Sequence, residues 1–217
     1  MIENKNWDKN KNQLIIGADE VGRGSLAGPI VGAAVKLKFL DIDLLSDVRD
    51  SKKLSPKKRE EIVERITNSD IEFSISECSN TYIDKNGISE ANKKVLKESV
   101  QSIYTNKEKV YIDHFNINEF SAVSLIRGED HSYAIALASI IAKVHRDKIM
   151  TKFSSVYPNY LFEKNKGYGT REHLDMLQKY GPCIIHRTSF NLGPKLCLLY
   201  TSPSPRDLST SRMPSSA

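Results

Sequence analysis

Apolar and polar positions along this chain follow two periods, and the switches between them mark its elements. Residues 14–19, LIIGAD, form a short β-branched run that predicts a buried strand, and residues 29–37, PIVGAAVKL, predict its partner after a turn. Residues 71–79, IEFSISECS, alternate with period two as a half-buried strand does, and residues 108–115 predict a further strand. Helical spacing takes over at 55–68, with Ser55 as N-cap and Pro56 at the first helical position. It returns at 88–106, where Ile88, Ala91, Val95, Leu96, Ser99 and Ile103 share a face. Residues 131–157 make the longest helical segment, apolar nearly all round in its first half and therefore central. Residues 170–181 predict a last helix, from Thr170 as N-cap to Gly181 as its stop. Strands come first and then alternate with helices. That order predicts an α/β domain with a mixed sheet, hairpin-linked at the front and built from crossover units behind.

The two ends break this pattern. Residues 1–12 are polar and rich in Asn and Lys, and they predict a disordered lead before a domain at 13–196. Residues 197–217 change abruptly to Ser, Pro and Thr with no hydrophobic period. They resemble translated read-through of a sequencing-library adaptor, so a disordered tail foreign to the domain is expected, with a linker or interaction tail as the alternative.

A length of 217 residues, 39% apolar and 27% charged, suits one substantial globular domain. The net charge of +5 is compatible with a polyanionic partner and does not require one. Cys78, Cys183 and Cys197 are scattered without a C-x-x-C pair, which argues against a zinc cluster or a disulfide framework. The start lacks a signal-peptide core, and the most apolar stretch, residues 133–142, is about half a membrane span. A cytoplasmic protein without membrane attachment is expected.

The candidate chemistry lies in residues 15–35. Asp19 and Glu20 stand directly before a Gly22–Arg23–Gly24 turn. In an extended chain these acids point to opposite faces. Both serve one site only if the strand ends at Asp19 and the chain turns there, which the glycines favour. Asp113 follows an apolar strand run, and Asp147 lies one helical turn after Lys143 on the same face. Such acids bordering apolar runs suit a hard divalent cation like Mg²⁺ or Mn²⁺. Each alone more often serves as a cap, a turn residue or a solvated charge, and the Asp19–Glu20 pair is the stronger case because two acids beside an apolar strand cost desolvation; both readings stay open. The glycine stretch is neither a Walker A motif nor G-x-G-x-x-G, and it fits either a phosphate-binding loop or a tight turn.

Six blocks occur in order: GADEVGRGSLAGPIVGAAV, DSKKLSPKKRE, YIDHFN, ASIIAKVHRD, YPNYLFEKNKGYGTREH and HRTSFNLGP. Together they resemble the ribonuclease HII family over residues 13–194. The resemblance implies an α/β ribonuclease-H-like fold, a mixed β-sheet flanked by helices, with a small helical C-terminal part. It implies a metal-dependent endoribonuclease acting on RNA–DNA hybrids and on ribonucleotide-containing duplex DNA. Incision would fall 5′ of a single ribonucleotide, leaving a 3′-hydroxyl and a 5′-phosphate, through a two-metal site of Mn²⁺ or Mg²⁺. The metal ligands it implies are Asp19, Glu20 and Asp113, with Asp147 as a fourth catalytic acid. Gly22, Arg23 and Gly24 would read the ribose 2′-hydroxyl and the adjoining phosphate, which only RNA-selective recognition requires. Tyr168 would stack on the next sugar, and His186 and Arg187 would contact phosphate. Lys52 and Lys53 before a helix start, with Lys143 and Lys166, are further candidate backbone contacts. A monomer is implied, with docking to a replication clamp left open.

The histidines show no metal-ligand spacing, and structural or surface roles are expected for His145 and His173. Two departures from the family pattern stand out. RGEDHS replaces a stretch near K-G-D-x-K-S, so either Glu129 or Asp130 takes the family's acid and His131 replaces a lysine. Asn165 stands where histidine is common. Three alternatives rank lower. Ribonuclease HIII shares the fold but normally carries an extra N-terminal domain, whereas about a dozen residues precede the first strand here. A non-catalytic nucleic-acid-binding module would gain affinity by losing the acids. A nucleotide switch lacks its Walker lysine.

Overall fold

The structure, a computed structural model, describes residues 1–45, 47–48 and 54–192. In chain order its elements are α1 (Ile2–Trp7), β1 (Ile15–Val21), β2 (Ile30–Leu37), α2 (Pro56–Thr67), β3 (Glu72–Cys78), α3 (Asn80–Asn86) and α4 (Ile88–Ile103). Then follow β4 (Lys109–Asp113), β5 (Val123–Leu125), α5 (Tyr133–Val156), α6 (Phe162–Asn165) and α7 (Arg171–Tyr180). The sheet order is β3-β2-β1-β4-β5. The first three strands form an antiparallel meander, while β1, β4 and β5 run parallel.

Period-two alternation sorts this sheet's side chains onto two helical layers. Ile15, Val31 and Val35 pack in one core cluster with the apolar half of α5, while Ile16, Ala18 and Ala34 pack in another with Leu96 and Val100 of α4. The helices sit close because two facing positions carry no side chain. A Cβ on Gly17 would lie 2.4 Å from the Ile135 amide nitrogen of α5, and one on Gly32 would lie 2.9 Å from the Val95 carbonyl carbon of α4. The mixed sheet, the central long helix and the caps at Ser55 and Thr170 match the sequence pattern, both hydroxyls accepting from the amide three residues on. A third cluster joins Ala27 and Met150 to Tyr160, Phe162, Leu177 and Ile185. It is the small helical C-terminal part.

Two expectations need correction. Residues 1–12 are not simply a disordered lead: Ile2–Trp7 is a helix, and Glu3 and Trp7 are buried. The Glu3 carboxylate accepts from Ser132 Oγ at 2.5 Å and from the Ala134 amide at 3.1 Å, capping α5 from outside. The first strand also does not end at Asp19, because β1 stays paired with β2 through Val21. Lys52, Lys53 and the tail at 197–217 lie outside the described residues. Among the described residues no helix is long and apolar enough to cross a membrane.

Candidate active site

The acids gather where two parallel strands end side by side. The pairing of β1 with β4 ends at Ala18 and Ile112, so the next residues, Asp19 and Asp113, stand side by side where these strands part, Asp19 still paired with Ala33 of β2 and Asp113 with Leu125 of β5. Because β1 continues, Asp19 and Glu20 face opposite layers. Asp19 is directed toward Ser139 of α5, and Glu20 toward Asn92 of α4. Asp113 is nonetheless electrostatically coupled to both, so the strand need not turn for all three carboxyls to share one field. The Gly128 amide donates to Asp113 Oδ1 and fixes it from the loop after β5.

Burial dominates the titration of Asp19 and Glu20. Asp19 is 6% exposed; desolvation, then the Glu20 and Asp113 charges, hold its carboxyl well above the usual range. Glu20 is raised for the same first reason, although Arg23 and Asn92 oppose it. Among the described residues none of the three carboxylates forms an ion pair, and no group of three or more His, Cys, Asp or Glu side chains is placed to hold a metal ion. Hard oxygen donors and uncompensated negative charge fit a divalent cation. An open set suits one such as Mg²⁺, which takes one or two carboxylates and completes its shell with water and substrate phosphate. Asp147 is placed differently. It accepts from Lys143 Nζ at 2.8 Å and lies about 12 Å along the α5 axis from Ser139, on the same stripe.

The turn after β1 rests on two buried arginines. Arg146 donates to the carbonyls of Pro29, Ala27 and Lys166 and to Ser25 Oγ, at 2.7–3.1 Å. Arg187 donates to the carbonyls of Gly22, Arg23 and Gly28, also within 3.1 Å. Gly22 has φ +98°, and a Cβ there would lie 2.2 Å from Arg146 Nε, so the turn closes over Arg146 only with glycine. Arg23 and Gly24 stay exposed. Burial lowers both guanidinium pKa values, and the Arg146 charge helps bring Arg187 to about 9.

Tyr168 borders this turn, half-buried, with Arg146 Cζ 5.3 Å and Lys143 Nζ 5.8 Å from its ring centre. A buried relay sets its backbone. The Cys183 amide donates to His186 Nδ1 at 2.9 Å, so His186 carries its hydrogen on Nε2 and donates to His173 Nε2 at 3.0 Å. His173 then donates from Nδ1 to the Tyr168 carbonyl at 2.8 Å. Desolvation, then the neighbouring His173, pulls His186 down to about 4.

This overturns the expectation that His186 and Arg187 contact phosphate, since they are 1% and 0% exposed and spend their polar atoms on the protein. Lys166 is half-buried with Nζ on Thr151 Oγ1. His173 is structural as expected, and His145 pairs with Glu77 at the surface. Asp130 pairs with Arg127. Ser139, Asn92 and Arg146 were missed. A signal existed for Arg146, which stands between Ala142 and Met150 at four-residue spacing on the buried stripe of α5, where an unpaired cation is unexpected. Asn92 likewise interrupts an apolar face, next to Ala91 and one turn before Leu96.

The Ribonuclease HII family model matches residues 16–192. The chain is 47% identical over 189 residues to the Ribonuclease HII of Lactobacillus gasseri, covering 87% of this chain and 74% of that protein. It is 45% identical over 180 residues to the Ribonuclease HII of Caldicellulosiruptor bescii, covering 82% and 86%. Its fold is similar to the structure of the PCNA:RNase HII complex from Archaeoglobus fulgidus, with a TM-score of 0.72 at 24% identity over 83% of this chain and 96% of that one.

Proposed function

The chain belongs to the ribonuclease HII family, hydrolases that cleave the RNA strand of RNA–DNA hybrids, and from that premise we propose that it also incises duplex DNA 5′ of single embedded ribonucleotides, leaving a 3′-hydroxyl and a 5′-phosphate. The observation that carries this reading is the adjacency of two unlike devices. Three mutually repelling carboxylates stand toward the ends of β1 and β4, and the Gly22–Arg23–Gly24 turn, exposed at Arg23 and Gly24, begins three residues after Asp19.

Each device has its task. Asp19, Glu20 and Asp113 would hold divalent cations, Mn²⁺ or Mg²⁺, with Asp147 as the fourth acid once Lys143 turns to substrate phosphate. When bound, such cations supply an activated water and offset charge on the leaving 3′-oxygen. The turn's backbone approaches a ribose 2′-hydroxyl closely because no Cβ intervenes at Gly24, where the space is open. Tyr168 offers a ring face to the following sugar. No nucleophilic side chain is needed. A replication clamp is a further partner by analogy with the archaeal PCNA complex. The cytoplasm, where such duplexes arise, is the proposed location.

The test offers purified protein a duplex with one ribonucleotide beside an all-DNA duplex of the same sequence, with Mg²⁺, Mn²⁺ or chelator. Cutting only the first, only with cation, and on the 5′ side of the ribonucleotide is the expected result. Equal cutting of both duplexes, or activity that survives chelation, rejects the proposal.

A further inference from the structure

The two buried arginines have no carboxylate partner among the described residues; their bonds go to backbone carbonyls and Ser25 Oγ. That is an unusual place for charge, and it has a geometric consequence. In a trans peptide the carbonyl and the following amide point in opposite directions, and the chain has no cis bond among the described residues. Arg187 Nη2 draws the Gly22 carbonyl inward at 2.7 Å, and its Nη1 draws the Arg23 carbonyl inward at 2.9 Å. The amides on the far side of those two peptide units, Arg23 N–H and Gly24 N–H, therefore point away from the guanidinium. Both belong to exposed residues, and neither donates to a described group.

We infer that Arg187 is the positioning residue of the substrate-facing turn: by holding the Gly22 and Arg23 carbonyls from below, it turns the Arg23 and Gly24 amides outward as a cradle for one backbone phosphate. Successive amides pointing to one side form a concave anion site. Ser25 and Arg146 brace the same peptide from beside it. The Ser25 hydroxyl donates to the Gly22 carbonyl at 2.8 Å and accepts from Arg146 Nη2 at 2.7 Å. Arg187 therefore acts on nucleic acid through the turn and never touches it. A lysine cannot replace it, because one ammonium does not reproduce a planar fork that spans three carbonyls.

This inference rests on the turn facing substrate, and its test separates the two claims. The amide resonances of Arg23 and Gly24 are followed by NMR while a ribonucleotide-containing duplex is added to the full chain in chelator. They shift in the unmodified protein and not in Arg187→Lys, whose affinity for the duplex falls roughly 10-fold, the scale of losing charge-assisted hydrogen bonds. Thermal unfolding of each protein confirms that the comparison is made below its transition. Amides that do not respond in the unmodified protein overturn the inference even if the variant fails to fold. So does a folded Arg187→Lys with unchanged shifts and affinity. Cation-dependent cleavage of the same duplex is scored separately: responsive amides without cleavage uphold the cradle and reject the proposed function, and the reverse pair rejects only the cradle.

Discussion

Asp19 and Glu20 are neighbours on β1 that face opposite layers, Asp19 toward Ser139 of α5 and Glu20 toward Asn92 of α4. Each helix therefore contributes one neutral polar side chain to one acid. The helices come that close because Gly17 and Gly32 leave room for them. Packing of the two layers and orientation of the two carboxyls are thus one structural fact.

The raised carboxyl of Asp19 makes it a liability to the cation-free fold. The folded chain keeps that proton to higher pH than the unfolded chain, so the stability it contributes is greatest below 3.8 and is lost as pH rises above that value. Asp19→Asn should therefore raise the unfolding temperature in chelator at neutral pH, by roughly 2–4 °C for each kcal/mol gained. Mg²⁺ or Mn²⁺ should stabilise the unmodified protein and have much less effect on the variant, which should not cleave. A variant destabilised in chelator, or stabilised equally by cation, would show that Asp19 carries no uncompensated charge.

Asn92 and Ser139 should matter to turnover more than to substrate binding. Asn92 is fully buried and, apart from its approach to Glu20, has no hydrogen-bond partner among the described residues. Asn92→Ala and Ser139→Ala are each expected to lower turnover or cation affinity by roughly 10- to 100-fold, as loss of a ligand-orienting partner does. The KM for duplex should stay nearly constant. Asp113→Asn should go further, abolishing turnover with binding largely intact. A rise in KM alone for Asn92→Ala would assign that residue to packing.

The histidine relay should be visible in acid. His186 is held near 4 against an ordinary 6.5, so the unfolded chain binds protons first as pH falls. Stability from this group is complete above 6.5 and is lost progressively toward about 4. His186→Gln, which still offers an N–H to His173, should flatten the fall in unfolding temperature across that window. An unchanged slope would mean that other groups dominate acid unfolding.

Much of this site was legible from pattern alone, and what was not has physical causes. The strand acids stood out because carboxylates bordering apolar runs are unusual. The end of β1 was misplaced because Gly22 signals a turn as strongly before a strand's last pair as after it, and only the register of Val21 with Val31 decides. The family resemblance implied phosphate contacts for His186 and Arg187, and their positions in the sequence carry no sign that they are buried. Only the fold shows carbonyls of the turn converging on Arg187. β5 and α3 escaped because three and seven residues are too few to establish a period.

The N-terminal helix went unread for another reason: its anchors are two residues in a polar segment, and they give a last prediction. Trp7 is 1% exposed, packs edge-on against Phe39 with ring centres 5.9 Å apart, and donates its indole N–H to the Gln13 carbonyl. Glu3 caps the start of α5, the helix that also carries Ser139, Lys143, Arg146 and Asp147. Trp7→Ala should cost about 3–5 kcal/mol, the usual range for emptying a buried aromatic site, and so lower the unfolding temperature by roughly 6–20 °C in a chain of this size. Glu3→Ala should cost less, about 1 kcal/mol for a lost cap, because the Ser132 hydroxyl still caps Ile135 from within the chain. Well below these transitions both variants should cleave at the unmodified rate, since neither residue reaches the carboxylates. A Trp7→Ala protein that unfolds at the original temperature would return residues 1–12 to a loose lead. A folded variant with impaired cleavage would instead mean that α1 sets the position of α5 over the site.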